Sequence, residues 1–200
     1  MVAGDVNEVS RLQLTSLDGS MLTELGPRFV RRFHTAQLGH WSTRALVAVD
    51  ARGTIVGFAV GSVDAPRLSR HVTPVVVPAL VWALASRRAL RLAGRLLCTL
   101  TERSPQPPIA AELLLLAVDA RARRRGIGRC LIDALEAEFR QDAVAIYRVS
   151  MRPGGAAAEP FYEALGFAVD QHVPVFGEPM TYLIKRIPPR SAGGDTQAFD

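Results

Sequence analysis

The stretch AAELLLLAV, residues 110–118, constrains this chain more than any other. It has strand length, and its unbroken hydrophobicity marks a strand buried on both faces, at the centre of a sheet that helices cover. RRRGIGRC follows at residues 123–130, with four arginines and two glycines. The pattern GIGRCLIDALEAEFRQ then predicts a helix with Ile127, Leu131, Ala134, Leu135 and Phe139 on one side. A buried strand, an arginine–glycine turn and an amphipathic helix form one β–α unit, so an α/β domain is expected around it.

The other elements fit such a domain. Residues 1–8 read as a loose tail, and RLQLTSL, 11–17, alternates weakly as a first strand would. A short helical stretch runs from Asp18 to Leu25, and a second helix begins at Pro27, carries Phe29, Val30, Phe33 and Leu38, and stops at Gly39. The runs 44–49 and 54–63 flank DARG and predict a hairpin, in which Gly57 and Gly61 signal that something approaches the second strand closely. Residues 64–110 read as helical, with Pro74 and Pro78 expected only at helix starts or breaks. Arg87, Arg91 and Arg95 share one helix face there, and SPQPP closes the segment as a loop. Further strands are expected at 143–151 and 173–187, with a short helix over 156–167 between them. The domain is thus expected to span 9–188, followed by a polar tail, 189–200.

Arginine and glycine beside a helix start have a physical use. The first four amides of a helix lack internal partners and carry the positive end of its dipole. Glycine lets a ligand approach that backbone, and arginine adds charge-assisted bonds, so the stretch suits a diphosphate. Two phosphate motifs fail on residues. No Lys-Ser/Thr pair completes a P-loop, and Leu131 stands where a dinucleotide fingerprint needs its third glycine.

Arg123-Arg124-Arg125-Gly126-Ile127-Gly128 instead resembles the acetyl-CoA motif [R/Q]-x-x-G-x-[G/A] of the GNAT N-acetyltransferase superfamily. The preceding strand LLLLAVD and the later FYEALGF, 161–167, which resembles that family's F-Y-x-x-x-G-F signature, sit in the family's order. The resemblance implies an acyl-CoA N-acyltransferase fold: a mixed central β-sheet flanked by helices, with 64–110 as a helical insertion before the cofactor-binding strand. It implies acetyl-CoA as acetyl donor and a primary amine, on a small molecule or a peptide, as acceptor. Leu116, Ala117 and Val118 would meet the pantetheine, the amide of Val118 also polarising the thioester carbonyl. Arg123, Arg124, Arg125, Gly126, Ile127, Gly128 and Arg129 would meet the diphosphate, and Phe161 would line the cofactor. Gly155 stands where many members hold the pantetheine with an asparagine. Tyr162, in the signature's tyrosine position, would be the general acid.

Glu112 matches the offset of the base glutamate in the family's histone acetyltransferases. By simple alternation it shares a face with Leu114 and Leu116, and a carboxylate ending an apolar strand is expected to have a raised pKa. A non-catalytic acyl-CoA sensor is the competing reading.

Formal charge is +5 with a pI of about 10.0, almost all of it arginine; Lys185 is the one lysine. Nucleic acid is not the expected partner, because interleaved aromatics and recognition motifs are missing. The longest apolar run, 72–85, is too short and too proline-broken to span a bilayer. Peripheral membrane contact and homodimerisation stay open, and a cytoplasmic location is the default. Cys98 and Cys130 read as buried thiols. His34, His40, His71 and His172 have no metal-ligand spacing, and no metal is expected.

Overall fold

The computed structural model describes residues 1–17, 21–84, 109–153, 158–175 and 178–188. Arg87, Arg91, Arg95, Cys98, Gly155 and the tail 189–200 lie outside them. A 3-10 turn, Ala3–Asp5, leads into α1 (Val6–Ser16), α2 (Met21–Glu24) and α3 (Pro27–Leu38). The hairpin β1 (Thr43–Val49) and β2 (Ile55–Ser62) precedes α4 (Ala65–Leu84). Then come β3 (Glu112–Val118), a 3-10 turn (Ala120–Ala122) and α5 (Ile127–Gln141). β4 (Ile146–Met151), α6 (Ala158–Glu163), β5 (Ala168–Val175) and β6 (Glu178–Arg186) complete the order.

The strands form one six-stranded sheet in the order β1-β2-β3-β4-β6-β5. Every pairing is antiparallel except β3 with β4. Leu131, Leu135 and Phe139 of α5 press one sheet face with Tyr147, Val149, Tyr162 and Phe167. α1 packs on the other face through Val9 and Leu12, against Phe58, Val60 and Ala117. α3 and α4 extend that layer through Phe29, Phe33, Leu68 and Val72. Gly57 and Gly61 make the first layer fit. A Cβ on Gly57 would lie 3.1 Å from Ile127 Cγ2, and one on Gly61 would lie 2.9 Å from both Leu135 Cδ1 and Phe139 Cζ. The close approach expected at this strand is that of α5.

The structure corrects the sequence reading at several points. RLQLTSL is helix, not a first strand: Val6, Val9, Leu12 and Gln13 are buried at helical spacing. Residues 1–8 are no loose tail either, since Val6 is buried and the Met1 amine donates to the Ala45 carbonyl at 3.0 Å. α4 runs straight through Pro74 and Pro78. Each removes a helical hydrogen bond, offset by the packing of Leu68 and Val72 on Phe29 and Phe33. Cys130 is exposed, and so is Ala134, because α5 buries the side that carries Leu131, Ile132, Leu135, Glu136 and Phe139.

Candidate active site

The site starts from an irregularity in β3. Val60 pairs with Leu115 but Gly61 pairs with Leu113, so Leu114 is an extra residue with no opposite number on β2. Such a bulge reverses the alternation beyond it. Before the bulge, Arg148 N–H donates to the Ala111 carbonyl, which points that part of the strand toward β4. Beyond it, Asp119 N–H donates to the Val56 carbonyl, toward β2. Ala117 therefore also turns its backbone to β2, while Leu116 and Val118 turn theirs the other way.

No strand receives them there. The parallel pairing of β3 with β4 consists of Glu112 with Arg148 and Leu113 with Val149, after which the two strands diverge. Among the described residues the amides of Leu116 and Val118 face this opening without a strand partner. Of the three backbone positions expected at a pantetheine, Ala117 is turned away. The bulge also corrects the expected face of Glu112. Leu116 and Val118 pack with α5, whereas Leu114 and Leu115 pack with α1, α3 and α4, on the face opposite Ala111 and Leu113. Glu112 alternates with Ala111 and Leu113, so it lies on that opposite face with Leu114 and not with Leu116.

The opening leads to the start of α5. Asp119 accepts the Arg121 N–H at 2.8 Å and closes the turn after β3. Arg124 (φ 58°) and Gly126 (φ 80°) are left-handed, which wraps residues 123–126 ahead of the helix. Gly126 caps α5 with its carbonyl accepting the Cys130 N–H at 3.0 Å, so the amides of Ile127, Gly128 and Arg129 are the unpaired first-turn donors. Gly128 has a packing reason of its own: a Cβ there would sit 3.2 Å from Phe161 Cζ, so the glycine seats α6 against α5. The arginines divide their roles. Arg123 Nε donates to the Val118 carbonyl at 3.1 Å, and Arg129 Nη2 to the Ala164 carbonyl at 3.3 Å. Arg124 and Arg125 are exposed, with no ion-pair partner among the described residues.

Tyr162 lies on the α5 face, its ring 5.2 Å from that of Phe161 and 5.1 Å from that of Phe167. Burial pushes its phenol up to about 12, so it stays protonated at neutral pH. Glu112 occupies the opposite face. Its Oε2 accepts from Arg148 Nε at 2.9 Å and lies 2.8 Å from Nη2, with both residues buried. Burial raises the Glu112 pKa, and the Arg148 charge and hydrogen bond oppose the rise. The Tyr182 ring lies 4.9 Å from the Arg148 guanidinium. Sequence reading missed Arg148 and Tyr182. The signal was present in IYRVSM, where Tyr147, Val149 and Met151 are apolar positions of one face and Arg148 and Ser150 fall on the other. Among the described residues no group of His, Cys, Asp and Glu could hold a metal ion, and no helix is long and apolar enough to cross a membrane.

The site thus lies in a mixed α/β fold whose sheet parts beside a bulged central strand, with a glycine-capped helix at the mouth. Comparison with known proteins narrows the class. Residues 90–177 match the acetyltransferase (GNAT) domain family. Solved structures share the fold. The ribosomal-protein-S18-alanine N-acetyltransferase of Escherichia coli is 18% identical, with a TM-score of 0.58 over 100% of this chain and 96% of that one. Ard1 of Thermoplasma volcanium is 22% identical, with a TM-score of 0.58 over 94% and 95%. Naa20 of Chaetomium thermophilum, solved with a bisubstrate analogue, is 18% identical, with a TM-score of 0.59 over 98% and 92%. No curated protein sequence matches at a significant level. Residues 90–177 thus resemble a GNAT acetyltransferase domain, and the chain shares the fold of the solved acetyltransferases.

Proposed function

We propose that the protein moves an acetyl group from acetyl-CoA to a primary amine by direct attack. The observation that carries this reading is the parting of β3 from β4, which leaves the Leu116 and Val118 amides facing an opening that ends at the first turn of α5. A pantetheine arm has amides to meet such strand groups, and a diphosphate suits three unpaired helix amides beside Arg124 and Arg125. The residues therefore fit acetyl-CoA as a substrate. Structural neighbours named as ribosomal-protein-alanine N-acetyltransferases support an amine acceptor on a peptide or small molecule.

The chemistry requires a neutral amine, a polarised carbonyl and a protonated leaving sulfur. The amine's lone pair forms the new C–N bond as the C–S bond breaks. Glu112, with Oε2 held by Arg148, takes the amine's proton through water on Oε1; burial raises its pKa and so its basicity. A strand amide at Leu116 or Val118 donates to the thioester oxygen. Tyr162 gives its proton to the thiolate. Burial keeps that phenol protonated until the thiolate forms.

The test is incubation with acetyl-CoA and a panel of amines while free thiol is followed. Amine-dependent thiol release is the expected result. Thermal stabilisation by acetyl-CoA with no thiol release on any amine would refute catalysis and leave an acyl-CoA sensor.

A further inference from the structure

Resting on that reading, we propose that Arg148 Nη1 selects the acceptor: it donates to a neutral carbonyl oxygen carried close to the amine, as in an amino-acid amide or a peptide amino terminus. Arg148 is 5% exposed, and its guanidinium is only partly used. Nε and Nη2 are spent on Glu112 Oε2, while Nη1 is buried with no hydrogen-bond partner among the described residues. A buried guanidinium donor left unpaired is costly, and the cost is relieved when a ligand brings an acceptor.

The position suits the second substrate. α5, whose first turn is the proposed diphosphate site, covers one sheet face with Leu113 and Val149. Glu112 and Arg148 alternate with those residues and lie on the other face, where Tyr182 covers the guanidinium. An amine that reaches Glu112 also reaches Arg148, because the two side chains share Glu112 Oε2.

The unpaired donor sets the chemical class. Nη1 is satisfied by any acceptor oxygen held beside the amine, and a carbonyl oxygen supplies one without adding a charge to the buried pair. An amino-acid amide is therefore expected to be preferred over an alkylamine of equal length without the carbonyl.

The experiment compares these two acceptors on the wild type and on Arg148→Lys, which keeps the positive charge beside Glu112 but loses the fork. In the wild type, kcat/KM for the amide should exceed that for the alkylamine by about ten- to a hundredfold when both are expressed per neutral amine. In Arg148→Lys the ratio should fall toward one, mainly through the acceptor KM, with the KM for acetyl-CoA unchanged. Equal turnover of amide and alkylamine by the wild type, or an undiminished ratio in a folded Arg148→Lys, would overturn the proposal. If Arg148→Lys does not fold, the wild-type ratio decides alone. If no amine is turned over, the catalytic reading fails instead. Calorimetric titration of amide and alkylamine into the coenzyme A-loaded protein then decides on Arg148, tighter binding of the amide supporting it and equal binding refuting it.

Discussion

Removing one member of the Glu112–Arg148 pair tests the polar floor of the site most sharply. Both residues are buried, and the bonds to Oε2 are 2.9 and 2.8 Å. Breaking a buried ion pair by truncating one partner costs about 3–5 kcal/mol, because the other charge stays behind uncompensated. For a chain of this length that lowers Tm by roughly 6–20 °C. Glu112→Leu should show this loss at every pH near neutral, since a guanidinium does not give up its proton. Arg148→Met should behave differently. Burial already raises the Glu112 pKa, and without Arg148 nothing opposes that rise. The carboxyl can escape its penalty by taking a proton, so this variant recovers stability as pH is lowered.

The double variant Glu112→Leu/Arg148→Met restores an apolar contact beneath Tyr182, so its stability should return to within about 2 kcal/mol of the wild type. It should remain inactive, because the base is gone. Urea denaturation of the four proteins at two pH values, with thiol release on each, gives both answers. Additive losses with no coupling between the two positions would refute the buried pair. An active double variant would refute Glu112 as the base.

Three further outcomes follow from the geometry. Tyr162→Phe keeps the ring contacts with Phe161 and Phe167, so Tm should hold while kcat falls by roughly 10²–10⁴-fold in the thiol-release assay. His34 is buried against Gln13 and its pKa is lowered to about 4, whereas unfolded it protonates near 6.5, so between those values the unfolded chain binds more protons. Stability should therefore fall as pH drops through that window, His34 supplying about 3 kcal/mol of the loss, and denaturation of His34→Gln across the same range should give a flatter profile. Gly61→Ala forces a methyl against Leu135 and Phe139 and should cost about 1–3 kcal/mol by urea denaturation, with a midpoint equal to the wild type's speaking against the packing described.

How much of this was legible in the sequence follows from the physics of each signal. β3 and α5 declared themselves, because one is apolar throughout and the other periodic. The hairpin around DARG was equally clear: Asp50 accepts the amides of Arg52 and Thr54, and Gly53 sits at φ 79°. α1 was missed because Leu12 and Leu14 happen to alternate, while the buried helical side includes Ser10 and Gln13, which no hydrophobic pattern counts. α4 was divided at its prolines because tertiary packing outweighed the local penalty. The bulge at Leu114 had no signal at all: four successive leucines read alike whichever face each one takes. That single extra residue decides which β3 amides face the opening and puts Glu112 on the face away from α5. Arg148 was visible as a charge inside a strand, but its partner lies 36 positions away, and only the fold brings them together.

The central claim is that coenzyme A is held by the bulged edge of β3 and the first turn of α5. Backbone amide resonances followed through a titration with coenzyme A test it directly. Leu116, Val118, Ile127, Gly128 and Arg129 should shift, and Ala117, turned to β2, should move far less. Saturable binding that leaves Leu116, Val118 and the α5 amides in place would contradict the account.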